Sequence, residues 1–228
     1  MAHDLLSEEV LESRWEAPLA VYAVIALQLL MAIISWANGW MLAGMGWWVW
    51  LIPIPTELAL VGELVWSRRR RPVEQLGERR KILFVLLGLL SAANALLLVA
   101  LVTSLIRLQT TSGGHLLLGA MTVWATNTVA FGLWFWAFDR GGPVRRFLSD
   151  PPRPDFQFPQ LENPQLAEPN WRPHLVDYIY VSFTNSIAFS PTDAMPLSRW
   201  AKLLMLAEST ISALTVLLVA ARAVNIFS

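Results

Sequence analysis

The chain alternates between long apolar blocks and shorter polar segments. Each long block is close to the roughly 20 residues that a helix needs to span the hydrocarbon core of a bilayer. Prolines interrupt the second block, and spanning helices tolerate prolines when neighbouring groups satisfy the freed carbonyls. The pattern predicts five long spanning helices, in the blocks Pro18 to Leu42, Trp47 to Trp66, Ile82 to Ile106, Leu116 to Phe138 and Leu203 to Phe227.

A sixth apolar segment precedes the last block and is shorter and more polar than the others. As a helix, Leu175 to Phe189 reaches about 22 Å, against roughly 30 Å of hydrocarbon. Its polar side must face protein or water, because lipid offers no hydrogen-bond partners. We therefore predict an all-α, polytopic membrane helix bundle with five long transmembrane helices and one short polar membrane helix, spanning or re-entrant, before the last.

Composition supports a membrane protein. Hydrophobic residues make up 55% of the chain and charged residues 15%, whereas a soluble domain carries about 25% charged residues. The 12 tryptophans suit the membrane interface, and the lipid bilayer is the expected partner. The net charge of zero gives no indication of nucleic acid as a partner. Cysteine is absent, which excludes disulfides, thiolate metal sites and cysteine catalysis.

Two polar segments predict the topology and the domain organisation. Residues 67–81 carry seven Lys and Arg, and the positive-inside rule assigns such a loop to the cytoplasm. Residues 140–174 are rich in Pro and Arg, as expected of an extended cytoplasmic loop. The remaining units are a cytoplasmic N-terminal tail or surface helix at 1–16, a four-helix transmembrane region at 17–139, and a pore-like helix, turn and final transmembrane helix at 175–228.

The apolar blocks and the basic loops together favour a bacterial inner (plasma) membrane. If Leu175 to Phe189 crosses outward, both termini are cytoplasmic.

The residues after the Pro-rich loop carry a recognisable order of elements. A short polar-aromatic helix is followed by a loop, Asp193, Pro196 and Trp200, a basic residue at Lys202 and a long apolar helix. This order resembles the pore region of the potassium-channel superfamily. The resemblance implies that the pore or constriction is formed by Thr184, Asn185, Ser190, Thr192 and Asp193.

The resemblance has two departures. One is topological, because a pore loop that enters from outside would put the basic loop 67–81 outside as well, unless Leu175 to Phe189 itself crosses outward. The other concerns the filter. The glycine-tyrosine-glycine filter is absent, and Pro191 stands where a filter residue would be. A potassium filter aims successive carbonyls at the ion, and FSPT does not provide that geometry in an obvious way. Potassium selectivity is therefore not implied. The DYIYVSFT segment and the terminal AVNI also resemble a family of uncharacterised bacterial membrane proteins, which implies no activity.

Polar residues within the last predicted helix form a stripe. Glu208, Ser212 and Thr215 are spaced so that they share one helix face. Either they line the inner wall of a hydrated path, or they hydrogen-bond to the polar face of Leu175 to Phe189.

Glu57 is the other intramembrane acid, and ionisable residues at membrane depth are candidates for function. We consider two roles for it, as a structural partner of Asn94 or Asn127, or as a proton or cation site.

No pattern indicates an enzyme or a cofactor. The histidines His3, His115 and His174 share no ligand spacing, so we expect no metal. Nucleophile-elbow, zinc-protease and phosphate-loop motifs are absent from the sequence.

The leading hypothesis is an ion-channel-like pore or permeation protein of unknown selectivity, a homo-oligomer with monovalent cations as possible ligands. The alternatives are a proton-coupled small-solute transporter, in which Glu57 and Glu208 carry protons, and a non-transporting membrane scaffold or envelope protein. The path of residues 175–200 distinguishes these hypotheses most directly.

Overall fold

The protein is an all-α helix bundle. The computed structural model describes residues 9–66, 76–106, 113–142, 146, 152–169, 171–190 and 193–227. Five helical segments in these ranges are long and apolar enough to cross a membrane, which confirms the predicted fold class. The α-helices are α1 Glu9–Ala37, α2 Ile54–Trp66, α3 Leu76–Ile106, α4 Gly113–Phe138, α5 Pro159–Glu162, α6 Leu175–Ala188 and α7 Arg199–Phe227.

The second span is not one continuous helix. A 3-10 helix at Trp47–Leu51 is followed by a turn, and α2 starts at Ile54. Pro53 and Pro55 carry no amide hydrogen, so helical hydrogen bonding cannot run through them. Regular bonding resumes where the Glu57 amide donates to the Pro53 carbonyl at 3.1 Å. The two prolines therefore divide the second span into a 3-10 helix and α2.

The first helix begins earlier than its apolar block. Helix α1 starts at Glu9 and continues without interruption to Ala37, with Pro18 inside it. Residues 9–16 are thus continuous with this helix, and its part that is long and apolar enough to span a membrane begins at Glu16. Residues 1–8 lie outside the described ranges.

One end of the bundle gathers helix termini around the Pro-rich segment, and we call it the loop end. The start of α3 and the end of α4 meet there, where the rings of Phe84 and Phe138 stack with centroids 5.9 Å apart. Helix α1 contributes Glu16, which accepts a 3.1 Å hydrogen bond from the Leu175 amide.

The other end, which we call the distal end, is rich in aromatic residues. The rings of Trp40 and His115 stack with centroids 4.8 Å apart, and Trp50 approaches His115 edge-on. Ser104 near the end of α3 accepts a 2.6 Å hydrogen bond from the Ala43 amide. Ala43 and Gly44 both have positive φ, and they form the tight turn that returns the chain toward the second span.

A small sheet joins the Pro-rich segment to the start of α7. Strand β1, Phe156–Gln157, pairs antiparallel with β2, Met195–Pro196, so that Phe156 lies opposite Pro196. The Leu197 amide extends the ladder by donating to the Asp155 carbonyl at 2.8 Å. Ser198 then caps α7 by accepting from the Ala201 amide at 3.1 Å. The sheet therefore holds the chain at the loop end just before α7 begins.

Candidate functional site: a re-entrant helix against a buried acid

Helix α6 enters the bundle from the loop end and runs antiparallel to α4. Near its start, Tyr178 donates a 2.6 Å hydrogen bond to Asp139, directly after the end of α4. One turn further, the Ser182 hydroxyl lies 2.7 Å from the Thr128 carbonyl oxygen. The ring of Phe183 lies edge-on to Trp124 at 5.6 Å. Successive residues along α6 thus contact successively earlier residues of α4, as expected for antiparallel helices.

Helix α7 also enters from the loop end. Its second residue, Trp200, packs near Phe138 at the end of α4, with ring centroids 6.4 Å apart. Further along, Ser212 accepts a 3.2 Å hydrogen bond from Asn127 in the middle of α4. Since α6 and α7 both run antiparallel to α4, they point in the same direction.

The chain between them must therefore turn back. Phe156 marks the return, because it pairs with Pro196 in the sheet and packs against Tyr178 near the start of α6, with ring centroids 6.3 Å apart. Helix α6 has 14 residues, or about 21 Å, which is shorter than the roughly 30 Å hydrocarbon core of a bilayer. We call residues 175–196 the re-entrant segment. Five crossings then put Glu9 and Phe227 at opposite ends of the bundle, whereas a crossing α6 would put them at the same end.

One carboxyl group ties both ends of the re-entrant segment to α4. Asp139 is completely buried. Its Oδ2 accepts from the Tyr178 hydroxyl near the start of the segment. Its Oδ1 accepts from the amides of Asp155 at 2.8 Å and Phe156 at 3.3 Å, which fixes β1 and, through β1, the end of the segment.

Arg146 completes this anchor from the Pro-rich segment. It donates to the Tyr178 hydroxyl at 3.0 Å, to the Pro173 carbonyl at 3.3 Å and to the Trp136 carbonyl. Its guanidinium also lies 5.0 Å from the centre of the Tyr178 ring. Burial lowers the pKa of Arg146 from its ordinary value, and the nearby Tyr178 and Asp139 oppose that shift. The attraction of Asp139 therefore favours the charged form of Arg146.

Helix α6 has two distinct faces. Its polar groups point into the bundle, where Ser182 and Ser186 are completely buried and Asn185 is nearly so. The opposite face is exposed and mainly apolar, formed by Val176, Tyr180, Phe183 and Ile187. The requirement that polar groups avoid lipid is met by the protein's own interior.

Glu208 of α7 lies against the centre of the polar face of α6 and is completely buried. Its Oε2 accepts a 2.7 Å hydrogen bond from the Asn185 amide group, which also donates to the Met205 carbonyl at 3.1 Å. Its Oε1 is hydrogen-bonded to the Ser182 hydroxyl. Neither the Arg140–Asp139 ion pair nor the His174–Glu16 contact, which is an ion pair only when His174 is protonated, involves Glu208.

The rest of the α7 stripe also faces the interior. Ser212 is bonded to Asn127, and Thr215 is buried and donates to the carbonyl of Ile211 in its own helix at 2.8 Å. The structure therefore brings Glu208 together with the polar face of α6, and Ser212 together with Asn127 of α4.

The constriction candidates do not share one surface. Asn185 is buried against Glu208, and the Thr184 hydroxyl bonds to the carbonyls of Tyr180 at 3.0 Å and Val181 at 3.1 Å in its own helix. Ser190 is exposed at the end of α6 and Asp193 is half-buried on the return. Thr192 lies outside the described residues.

The hydrogen-bond partner of Glu57 is neither Asn94 nor Asn127, the two partners considered from the sequence. Gln28 of α1 donates a 2.7 Å hydrogen bond to Glu57 Oε1, and both side chains are completely buried. Asn94 instead donates to the Val123 carbonyl at 3.2 Å, and Asn127 bonds to Ser212. Glu57 is thus a helix-pairing residue between α1 and α2, with an amide as its neighbour.

Sequence reasoning missed the anchor around Asp139. Its members come from the end of α4, the Pro-rich segment and α6, so no local spacing links them. A usable signal was present in Asp139 itself, an acid directly after a 23-residue apolar block that ends at Phe138.

Within the described ranges, the acids and histidines form no group that could hold a metal ion.

Comparison of the chain with protein-family models, with curated proteins and with solved structures finds no match. The likeness of residues 175–200 to a channel pore region therefore depends on the order of residues alone.

Proposed function

We propose that this protein is a channel-like permeation protein that acts as a homo-oligomer, with the re-entrant segment beside the permeation path. The observation that carries the proposal is the course of residues 175–196. A half-length helix enters the bundle, the chain is back at the same end at Met195 and Pro196, and a full-length helix follows from there. This is the order of elements that the resemblance to a channel pore region implies.

The physical support comes from the backbone of the return. Non-helical backbone at membrane depth is tolerated only where it is buried in protein or lines a water-filled cavity. Helix α6 ends at Phe189, which has a left-handed φ of 53°, and both Phe189 and Ser190 are exposed on the single chain. Contact with further copies around a hydrated axis would remove this backbone from lipid.

Within this proposal the candidate residues divide into two groups. Ser190, Thr192 and Asp193 belong to the return and are assigned to the path, with monovalent cations as the proposed ligands. Asn185, Glu208 and Ser212 are assigned to the support behind α6, because they are buried in hydrogen bonds within one chain.

We further propose a plasma-membrane location with the loop end in the cytoplasm. The seven Lys and Arg between Arg68 and Lys81 lie between α2 and the first turns of α3, which begin at the loop end. The positive-inside rule then assigns this end to the cytoplasm. The C-terminus would be outside, and the re-entrant segment would enter from the cytoplasmic face.

A second candidate function is proton-coupled transport of a small solute. It is favoured by the pair of buried acids, Glu57 and Glu208, whose hydrogen-bond partners are the neutral side chains of Gln28, Ser182 and Asn185. Acids placed inside a membrane bundle without a charged partner are suited to carrying protons.

Site-directed thiol blocking tests the channel proposal. Because the sequence contains no cysteine, a thiol reagent can react only with the cysteine that is introduced. The variant Ser190→Cys would be reconstituted in liposomes and its flux of monovalent cations measured before and after a charged thiol reagent. We expect flux above empty vesicles and at least tenfold inhibition by the reagent. The control is Leu96→Cys on the exposed side of α3, a helix that does not pack substantially on α6, and this variant should be insensitive.

Absence of flux for all common monovalent cations would overturn the channel proposal. Flux that the reagent leaves unchanged in Ser190→Cys would overturn the role of the re-entrant segment. Solute uptake that depends on a proton gradient, without such ion flux, would favour the second candidate.

A further inference from the structure

The contacts around Glu208 contain more hydrogen bonds than their donors can supply. Four bonds meet there, namely Asn185 to Glu208, Asn185 to the Met205 carbonyl, Ser182 to the Thr128 carbonyl and Ser182 to Glu208. The Asn185 amide group has two hydrogens and the Ser182 hydroxyl has one. Each two-centre hydrogen bond uses one hydrogen, so three hydrogens supply only three of the four bonds.

The orientation of each donor is fixed by backbone carbonyls, which only accept. The Met205 carbonyl requires the nitrogen of Asn185 to face it, and the same group then donates its second hydrogen to Glu208. The Thr128 carbonyl, 2.7 Å from Ser182 Oγ, takes the single hydroxyl hydrogen. The remaining bond, between Ser182 and Glu208, needs a hydrogen on the carboxyl group.

We propose that Glu208 is a proton-binding site, occupied in this conformation, in which the neutral carboxylic acid donates to Ser182. Ser182 in turn donates to Thr128, so the proton completes a chain of hydrogen bonds from α7 through α6 to α4. The site takes a proton and no other ligand.

The charges on the surrounding elements are consistent with a neutral acid. The elements that pack on α7 are α3, α4, α6 and β2. Their titratable residues are Asp177, Tyr178 and Tyr180 on α6, His115 on α4, and Glu78, Arg79, Arg80 and Lys81 on α3, and β2 has none. Besides Glu208, α7 itself carries Arg199, Lys202 and Arg222. Glu208 forms no ion pair with a described residue, and it lies about 14 Å along α7 from Arg199. A buried carboxylate without a positive partner is strongly unfavourable.

Release of the proton changes which helix holds α6. An ionised Glu208 can only accept, so it competes with the Thr128 carbonyl for the one hydrogen of Ser182. The hydroxyl then turns from α4 toward α7, and the contact between α6 and α4 loses a hydrogen bond. The occupancy of the site is thereby coupled to the attachment of the re-entrant helix.

The consequence for permeation rests on the proposed function, whereas the bound proton does not. If the re-entrant segment borders a path, proton release at Glu208 shifts the helix that supports it. Flux would then depend on pH through a group that does not contact the permeating ion.

Infrared difference spectroscopy of the full-length protein in lipid vesicles tests the site directly. We would subtract the spectrum of Glu208→Gln from that of the wild type at neutral pH. The expected difference is one un-ionised carboxylic acid carbonyl band that is present only in the wild type and is lowered in frequency by hydrogen bonding. The matched control is Glu162→Gln on the exposed helix α5, which should remove a carboxylate band instead.

A second variant keeps the test decisive if Glu208→Gln alters the fold. In Ser182→Ala the acid loses its acceptor, so its carbonyl band should persist and shift to higher frequency. A carboxylate band for Glu208 at neutral pH, or a band that Ser182→Ala leaves unmoved, would overturn the proposal. If the acid band is present but no ion flux is measured, the proton site stands and the channel proposal is rejected. If ion flux is measured but Glu208 gives a carboxylate band, the channel proposal stands and the proton site is rejected.

Discussion

The Tyr178 hydroxyl donates a 2.6 Å hydrogen bond to Asp139, while it accepts one of 3.0 Å from Arg146. All three groups are buried, and they come from α6, the end of α4 and the Pro-rich segment. The same Asp139 carboxyl group holds β1, which pairs with the end of the re-entrant segment. This contact therefore holds the two ends of the segment together.

Removal of that hydroxyl should weaken the fold. We expect Tyr178→Phe to lower the free energy of unfolding by about 1–3 kcal/mol, because buried donors and acceptors on Arg146 and Asp139 lose a partner. The matched control is Tyr180→Phe on the exposed face of α6, for which we expect a change within about 0.5 kcal/mol. Denaturant unfolding in detergent micelles measures both. Equal effects of the two substitutions would contradict the anchor.

Close packing of α6 on α4 depends on a glycine. A Cβ atom added at Gly132 would lie 2.8 Å from Ile179 Cγ1 and 2.9 Å from Ile179 Cα. The backbone of α6 would have to move, so Gly132→Ala should destabilise the protein by about 1–3 kcal/mol. In Gly88→Ala of α3 nothing lies within 4 Å of the added atom, and this control should be neutral or stabilising by up to about 1 kcal/mol. Thermal unfolding of both variants in one detergent provides the comparison, and a loss in the control as large as that at Gly132 would exclude the packing explanation.

The pair of Gln28 and Glu57 should behave as a coupled unit. Gln28→Met leaves the buried Glu57 without its hydrogen-bond donor and should cost about 1–3 kcal/mol. The double variant Gln28→Met and Glu57→Met replaces both partners by apolar side chains of similar size, so it should recover most of that loss. A double-mutant cycle of unfolding free energies gives the coupling, and strict additivity would show that the two side chains do not depend on each other.

The sequence predicted the spans because long apolar blocks have one physical outcome in a membrane. It also predicted that the polar residues of Leu175 to Phe189 avoid lipid, and Ser182, Asn185 and Ser186 do so by packing inside the bundle. The partner of Glu57 escaped prediction, because hydrogen bonds between helices depend on their rotation, which periodicity leaves undetermined. Helix periodicity equally left open whether Glu208, Ser212 and Thr215 face a path or the bundle interior.

The direction of α6 after entering the membrane also depends on contacts distant in sequence. A segment of that length is compatible with crossing or with return. The pairing of Phe156 with Pro196 and the anchor at Asp139 determine the direction, and each joins residues about 40 positions apart. Neither contact leaves a local pattern in the chain.

Side-specific labelling of single cysteines in oriented membrane vesicles tests the return of the re-entrant segment most directly. Leu166→Cys marks the Pro-rich segment before α6, and Met195→Cys marks β2 after it, both at exposed positions. Met41→Cys, exposed near the distal end, reports the other side of the membrane. With a membrane-impermeant thiol reagent, Leu166→Cys and Met195→Cys should react from the same side and Met41→Cys from the opposite one. Reaction of Leu166→Cys and Met195→Cys from opposite sides would mean that α6 crosses the bilayer and that this account of the site is wrong.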